Sequence, residues 1–332
     1  MRSLGSISRS IERESRRRQR ELEKQSKLLE KMQEQERAAY EAQVYENNIE
    51  LLSSVYKECG DICDWASIQS SPPPSEPTPT HTHEEAAREE LASQKIGLSD
   101  KLLGRDKNKR EILLKAVEDA KNTDEEEYRN AIRSYEEEYA KWDMLCSIAG
   151  RILAHDKNAY LDAIQVTNPF SDLNDLGSFI EFEVETPSVM NVTIQFNNDR
   201  VIPSEVKSLL KSGKLSIKPM PKGKSFEIYQ DYVCGSALRI ARELFALLPL
   251  KYVIVTAMGR LLNTKTGHMD ESPILSVLFP KETIESLNFE TLDPSDSMSN
   301  FIHRMNFKKN KGFEAVERIR FSELETIQNF GN

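Results

Sequence analysis

Two cysteines and two histidines have the side-chain types of a zinc site. Cys59 and Cys63 are separated by three residues, and His81 and His83 follow in a tract rich in proline, serine and threonine. Structural zinc sites combine cysteine thiolates with histidine nitrogens, although their paired cysteines are usually closer together in a small knuckle. The four residues are therefore candidate metal ligands, and thiols at a helix end with exposed histidines are the alternative. We predict no cofactor.

Lysines follow one another without an intervening acid over residues 206–224, in a chain whose net charge is −9. A second basic segment spans residues 304–311. If the two segments converge, they predict contact with an anionic partner such as nucleic acid, and solvent-exposed lysines are the alternative. The candidate anion-binding residues are Lys207, Lys211, Lys214, Lys218, Lys222, Lys224 and, on the helix that follows, Arg239.

Carboxylates on two predicted strands form a third set of candidates. Glu181, Glu183 and Glu185 alternate along the first strand, and Asp199 follows the second. Alternation places the three glutamates on one face of their strand, where exposure to solvent is the simplest interpretation.

The element order over residues 178–258 resembles the core of restriction-endonuclease-like nucleases. In those enzymes an aspartate on one strand and an acid-x-Lys motif on the next hold a catalytic divalent metal. Asp199 matches the first position, but Ser216 stands in place of the acid in Ser216-x-Lys218, so one carboxylate of the usual pair is missing. The resemblance implies an inactive relative, with Glu183, Asp199 and Lys218 as the candidate catalytic residues.

A buried helix and strand are predicted to form the core of the globular domain. Between residues 226 and 248 apolar side chains fall on two neighbouring helical stripes, and Pro249 ends the pattern. The β-branched run at residues 252–256 is typical of a strand covered on both faces. Alternating strands before it and an apolar strand near residues 273–279 complete a mixed sheet. We also predict a last amphipathic helix from Met298, Phe301, Ile302 and Met305.

The N-terminal half is predicted to be helical. A long helix over about residues 10–57 has a face of Tyr40, Val44, Asn48, Leu51 and Val55 to bury. A clearer heptad pattern begins with Tyr128, Ile132, Tyr135, Tyr139 and Trp142 and continues to Leu153. It predicts either an antiparallel pair with residues 40–56 or a contact between two copies of the chain.

The fold class is therefore α+β, with a long-helix or coiled-coil N-terminal half followed by a mixed-sheet domain. In the proline tract, Pro74 and Pro77 form either part of a spacer or a polyproline ligand. The predicted segments are a long helix at 1–65, a proline-rich tether at 66–83, a helical stalk at 84–166, a globular domain at 167–321 and a tail at 322–332.

Composition narrows the class of protein. No run of about 20 apolar residues exists, which predicts no membrane span, and four cysteines indicate reduced thiols in a cytoplasmic protein. The segments YQDYVCGSALRIARELFALLP and LNFETLDPSDSMSNFIHRM resemble a bacterial family with a helical N-terminal half and no assigned activity. We expect a non-catalytic interaction or scaffold protein that binds itself or a protein partner through its helical stalk and binds a partner through its α/β domain. The alternative is a nucleic-acid-binding or degenerate metal-dependent nuclease-like protein.

Overall fold

The computed structural model describes residues 4–93, 105–171, 173, 178–196 and 201–323. The predicted α+β class is confirmed, because long helices dominate the N-terminal half and a mixed sheet lies in the C-terminal half. Contacts divide the chain into residues 1–63 with 163–332 and residues 64–162. The sequence-based division differs, since it grouped residues 1–65 with the helical half, whereas most of this segment belongs to the unit that contains the sheet.

A six-stranded sheet forms the centre of the first unit, in the order β1-β2-β5-β6-β7-β8. Only β2 and β5 pair in parallel, and the other neighbours are antiparallel. A separate hairpin, β3 with β4, lies between β2 and β5 in the chain. The strands are β1 (Phe179–Thr186), β2 (Val189–Gln195), β3 (Glu205–Leu209), β4 (Leu215–Pro219), β5 (Tyr252–Asn263), β6 (His268–Pro280), β7 (Ile302–Lys308) and β8 (Gly312–Glu314).

One face of this sheet is covered by the predicted buried helix, which spans Lys222–Leu247. The Cys234 thiol lies 3.8 Å from the Met305 sulfur on β7, and the rings of Tyr229 and Tyr232 pack edge-on against Phe196. Val253 and Val255 lie on the same face of β5, and both are fully buried. Burial of both partners explains why the sequence here is apolar on nearly every side.

The long N-terminal helix α1 (Leu4–Ser54) docks on the sheet unit through its last part. Ala38, Ala42 and Leu52 are the buried ones among its described side chains, and the Lys207 ammonium on β3 lies 3.1 Å from the Glu41 carboxylate. The hydrogen bond and charge of Lys207 lower the pKa of Glu41. The heptad pattern indicated that Tyr40, Val44, Asn48, Leu51 and Val55 would be buried. Of these five residues, only Val55 is buried, and α1 packs through its opposite face.

Polar side chains of the long helix Lys222–Leu247 hold the segment that follows α1. Arg242 donates to the carbonyl oxygens of Tyr56, at 2.7 Å, and Lys57, at 3.0 Å, while the Glu243 carboxylate accepts from the backbone N–H of Gly60. Arg239, a predicted anion-binding residue, is buried and lies 3.2 Å from the Glu58 carboxylate. These three charged side chains therefore hold the segment after α1 against the long helix.

The second unit is helical. It contains α2 (Trp65–Gln69), α3 (Thr82–Ser93) and the 49-residue α4 (Arg105–Leu153), and α5 (Lys157–Thr167) begins within it. The buried Asp124 carboxylate on α4 accepts the backbone N–H groups of His83 and Glu84 and so caps α3. In the described part of the chain, no helix is long and apolar enough to cross a bilayer.

Three further helices complete the numbering: α6 is the long helix Lys222–Leu247, α7 is Lys281–Ser286 and α8 is Pro294–Ser297.

The prediction of a last amphipathic helix was wrong. Ile302 and Met305 lie on strand β7, where they pair with Leu278 and Leu275 of β6. Pairing with β7 provides hydrogen-bond partners for the backbone groups at the edge of β6. The sequence did not reveal this, because the spacing of a few apolar residues does not distinguish a helix from a strand.

One carboxylate on α6 should make stability depend on pH. Burial and the nearby Asp293 carboxylate raise the pKa of Asp231 to about 6. Because the folded state then holds this proton more tightly than the unfolded state, its contribution is most favourable below about pH 4 and is lost as the pH rises through 6.

We predict that Asp231→Asn raises the free energy of unfolding at pH 7.5 by about 1 kcal/mol, allowing for solvent screening. The gain should disappear at pH 4, and urea unfolding at both pH values measures it. Asp143→Asn, at an exposed position of α4, is the matched control. A gain of equal size at both pH values would contradict the assignment.

Candidate functional site

A cavity with a volume of about 980 Å³ lies in the sheet unit, on the face of the sheet opposite α6. Its floor comes from β2 and β5, one wall from β1, and the other wall from β7 and the C-terminal segment, which we define as residues 315–323. We call this cavity the sheet groove. Its polar lining consists of Glu183, Glu185, Asn191, Thr193, Thr256, Arg304, Glu317, Arg318, Arg320, Ser322 and Glu323.

A row of polar residues crosses five strands beneath this groove. In register, Glu181 on β1 lies beside Thr193 on β2, then Thr256 on β5, Ser276 on β6 and Arg304 on β7. Directly paired residues point to the same face of a sheet, so these side chains form one continuous line. The sheet therefore has an apolar face toward α6 and a partly polar face toward the groove.

Buried hydroxyls at the centre of the row are satisfied by hydrogen bonds. Ser276 is fully buried and its Oγ lies 3.0 Å from the Thr256 hydroxyl. The same Ser276 oxygen accepts the backbone N–H of Ile319 at 2.9 Å. A hydroxyl pair inside an apolar sheet thus provides the docking point for the C-terminal segment.

Further contacts fix this segment across the sheet. Arg304 donates to the carbonyl oxygen of Arg318 at 2.7 Å and to the Glu323 carboxylate at 2.6 Å. The backbone N–H of Arg320 and the Arg304 guanidinium lower the pKa of Glu323. Ile319 packs with Ile254 and neighbouring apolar side chains. The groove wall is therefore held by both apolar packing and charged hydrogen bonds.

The groove lining carries charges of both signs. Glu183 and Glu185 lie on the β1 side, while the other wall carries Arg304, Arg318 and Arg320 together with Glu317 and Glu323. Between them, the Asn191 amide nitrogen donates to Glu185, and the buried Asn191 carbonyl oxygen has no hydrogen-bond partner among the described residues. Such a lining can bind a polar ligand that presents hydrogen-bond donors and charges of both signs.

The structure does not bring the predicted catalytic residues together. Glu183 lines the groove, but Lys218 lies on β4 of the separate hairpin. Asp199 lies outside the described residues. The carboxylates of β1 do share one face, and that face borders a cavity rather than open solvent alone.

The predicted anion-binding lysines fall into two groups. Lys207 is paired with Glu41, as described above, whereas Lys211, Lys214, Lys218, Lys222 and Lys224 are exposed on the β3-β4 hairpin and the first turn of α6. A Cβ placed on Gly223 would lie 3.6 Å from the carbonyl oxygen of Lys309. The two basic segments of the sequence therefore meet at the start of α6.

The predicted zinc ligands are divided between the two units. Cys59 and Cys63 lie in the first unit and form no disulfide, and His81 and His83 belong to the second. Within the second unit His83, Asp124 and Glu127 place potential ligand atoms within 4.8 Å of one another. However, Asp124 already caps α3 and His83 faces Glu127 at 3.3 Å, so a helix cap and an ion pair account for this cluster.

The predicted aromatic seam lies on α4 and is only partly exposed. Tyr135 and Tyr139 have ring centroids 5.9 Å apart, and Tyr139 and Trp142 follow at 5.3 Å. Tyr128 and Ile132 are half-buried on the same helix. The Trp142 indole N–H donates to the carbonyl oxygen of Ser71 and lies 3.0 Å from its hydroxyl oxygen. The proline-rich segment therefore docks on this face, a partner that the heptad pattern did not indicate.

Sequence analysis missed the residues at the centre of the groove. Thr256 and Ser276 each interrupt an apolar strand, in VIVTAMG and ILSVLF. A single hydroxyl within a buried strand requires a hydrogen-bond partner, which was the available signal. Nothing in the sequence indicated that the Thr256 and Ser276 hydroxyls would bond to each other.

Comparisons with known proteins give no match: neither a family model, nor a curated protein, nor a solved structure is significantly similar to this chain.

We predict that Ser276→Ala loosens the C-terminal segment. Removing the hydroxyl leaves the Ile319 N–H and the Thr256 hydroxyl without this partner, so the free energy of unfolding should fall by about 1–3 kcal/mol. Amide hydrogen exchange at Ile319 should accelerate. Ser286→Ala is the control, because that hydroxyl is exposed and bonds only within its own turn. Unchanged exchange at Ile319 would contradict the proposed docking point.

Proposed function

We propose that this protein is a non-catalytic interaction protein that self-associates through α1 and binds a protein partner in the sheet groove. The observation that carries the proposal is an apolar stripe on α1 that the described residues leave uncovered. A cytoplasmic location, as predicted from the sequence, is part of this proposal.

The stripe consists of Tyr40, Val44 and Leu51. Their side chains are 70%, 48% and 49% exposed, although the opposite face of the same helix is buried against the sheet unit. Spacings of four and seven residues place all three on one side of a helix. A helix with one docked face and a second apolar face is suited to pairing with another helix, and a second copy of α1 provides an identical stripe.

The groove supports the second part of the proposal. Its lining consists mainly of carboxylates, guanidinium groups, hydroxyls and apolar side chains, which fit a polypeptide segment with polar and charged side chains. A bound chain would form hydrogen bonds with the Asn191 carbonyl oxygen, which has no partner among the described residues, and with Thr193. The C-terminal segment already uses the same face in this manner.

We predict that Tyr40→Glu combined with Val44→Glu weakens self-association roughly 1,000-fold. Each apolar side chain buried in a helix pair contributes about 2 kcal/mol, and a buried unpaired carboxylate would oppose it. Sedimentation equilibrium should show oligomers for the unmodified chain and monomers for the double variant.

The matched control changes Gln43 and Asn310 to Glu, since both are exposed polar residues and the added charge is the same. This control should associate like the unmodified chain. A monomeric unmodified chain at micromolar concentration would refute association through α1.

A specific observation also supports the alternative function of binding an anionic polymer. Five exposed lysines lie on the β3-β4 hairpin and the start of α6, and Lys309 approaches the same turn. Uncovered positive charge arranged along one edge can follow a phosphate backbone. Lys309 itself pairs with Glu227, which limits the patch on that side.

We predict that changing Lys214, Lys218 and Lys222 together to Ser lowers the slope of log affinity against log salt concentration by about 2 to 3 in titrations with single-stranded or duplex DNA and with RNA. A triple change of Lys115, Lys141 and Lys251 to Ser is the control, because these lysines are exposed elsewhere. If the unmodified chain shows no salt-dependent binding, this alternative is excluded.

A further inference from the structure

An aromatic row on α4 forms a surface in the second unit. Tyr135, Tyr139 and Trp142 contact one another in sequence along the helix, with centroid distances of 5.9 Å and 5.3 Å. Tyr139 is 41% exposed, and Tyr135 and Trp142 are half-buried. Adjacent aromatic faces with a polar N–H at one end are the side-chain types that bind proline-rich chains.

A proline-rich segment of the chain itself begins at Ser71, which contacts Trp142 at one end of this row. Its exposure repeats every third residue: Ser71, Pro74 and Pro77 are half-buried, and the two residues between each of them are exposed. A polyproline II helix has three residues per turn, so one edge of such a helix would show this repeat. Residues 71–81 form neither an α-helix nor a strand.

Two anchors fix this segment along α4. At one end the Trp142 indole N–H donates to Ser71, and at the other the Asp124 carboxylate accepts from His83 and Glu84. Asp124 lies 18 positions before Trp142, which is about 27 Å along an α-helix. Twelve residues would cover about 18 Å as an α-helix and about 37 Å as polyproline II, so the chain between the anchors must be extended.

The hydrogen bond at Trp142 also fits polyproline recognition. A polyproline II chain has no internal hydrogen bonds, and its carbonyl oxygens are therefore available to donors on a binding surface. Indole N–H is a donor only, and here it meets the carbonyl oxygen of Ser71 at 3.2 Å. The indole also lies 3.0 Å from the Ser71 hydroxyl, but the bond to the carbonyl oxygen does not depend on the side chain, so it can serve other proline-rich sequences.

We propose that the row Tyr135, Tyr139 and Trp142 is a binding surface for polyproline II segments with prolines three residues apart, and that residues 71–80 occupy it in cis. A proline-rich segment of a partner protein binds the same surface after displacing the cis segment. This site is separate from the α1 stripe and the sheet groove, and the inference does not rest on the proposed function.

Occupation in cis sets the expected affinity. A segment tethered at both ends acts like a competitor at about millimolar concentration, so the unmodified chain should bind a free peptide weakly. Weakening the cis segment should therefore strengthen binding in trans. We use a full-length double variant, Pro74→Ser with Pro77→Ser, and a fluorescein-labelled peptide that corresponds to residues 70–80.

By fluorescence anisotropy, we expect the double variant to bind the peptide at least tenfold more tightly than the unmodified chain does. Adding Trp142→Ala to the double variant should abolish binding, and a peptide in which Ser replaces both prolines should not bind. Circular dichroism establishes that α4 remains helical. Failure of a helical double variant to bind the peptide would overturn the proposal.

A second measurement uses the unmodified chain, so the inference remains testable if the double variant does not fold. The chain has two tryptophans, and in ¹⁵N-labelled protein the indole resonance of Trp142 can be assigned by its loss in Trp142→Phe. Millimolar peptide should shift this resonance more than that of Trp65. No shift at Trp142 would refute displacement of the cis segment.

Discussion

The parallel pairing of β2 with β5 is the constraint on which the sheet unit depends. Parallel neighbours require a long crossover connection, and here that connection carries the β3-β4 hairpin and α6. Crossing in this way places α6 on one face of the sheet. The other face is then left for the C-terminal segment, and the sheet groove lies where that segment covers it incompletely.

The parts predicted from the sequence were those set by local periodicity. The apolar stripes of α6 and the β-branched start of β5 each identify one element, as does the alternation of β1. The groove was not predictable, because its polar row joins single residues from five strands, and their alignment depends on register. Glu183 could be placed on a face of β1 from the sequence, but the cavity beside it could not.

The helical patterns in the sequence located the helices, but they did not indicate what each helix packs against. The heptad spacing around Tyr139 and Trp142 follows one face of α4, yet apolar spacing does not indicate what covers that face. The same ambiguity explains residues 298–305, where similar spacing accompanies a 3-10 turn and strand β7. On α1 the small residues Ala38 and Ala42 permit close docking, whereas the more conspicuous Tyr40 and Val44 face outward.

The contacts that close the sheet unit join residues far apart in the chain. Tyr56 donates to the carbonyl oxygen of Leu292, 236 positions later, and Gly60 donates to Glu243, 183 positions later. During synthesis, the segment at the end of α1 must therefore wait until α6 has left the ribosome. The helical unit at residues 64–162 is complete much earlier, so the order of folding is expected to be the reverse of the order in which the two units begin.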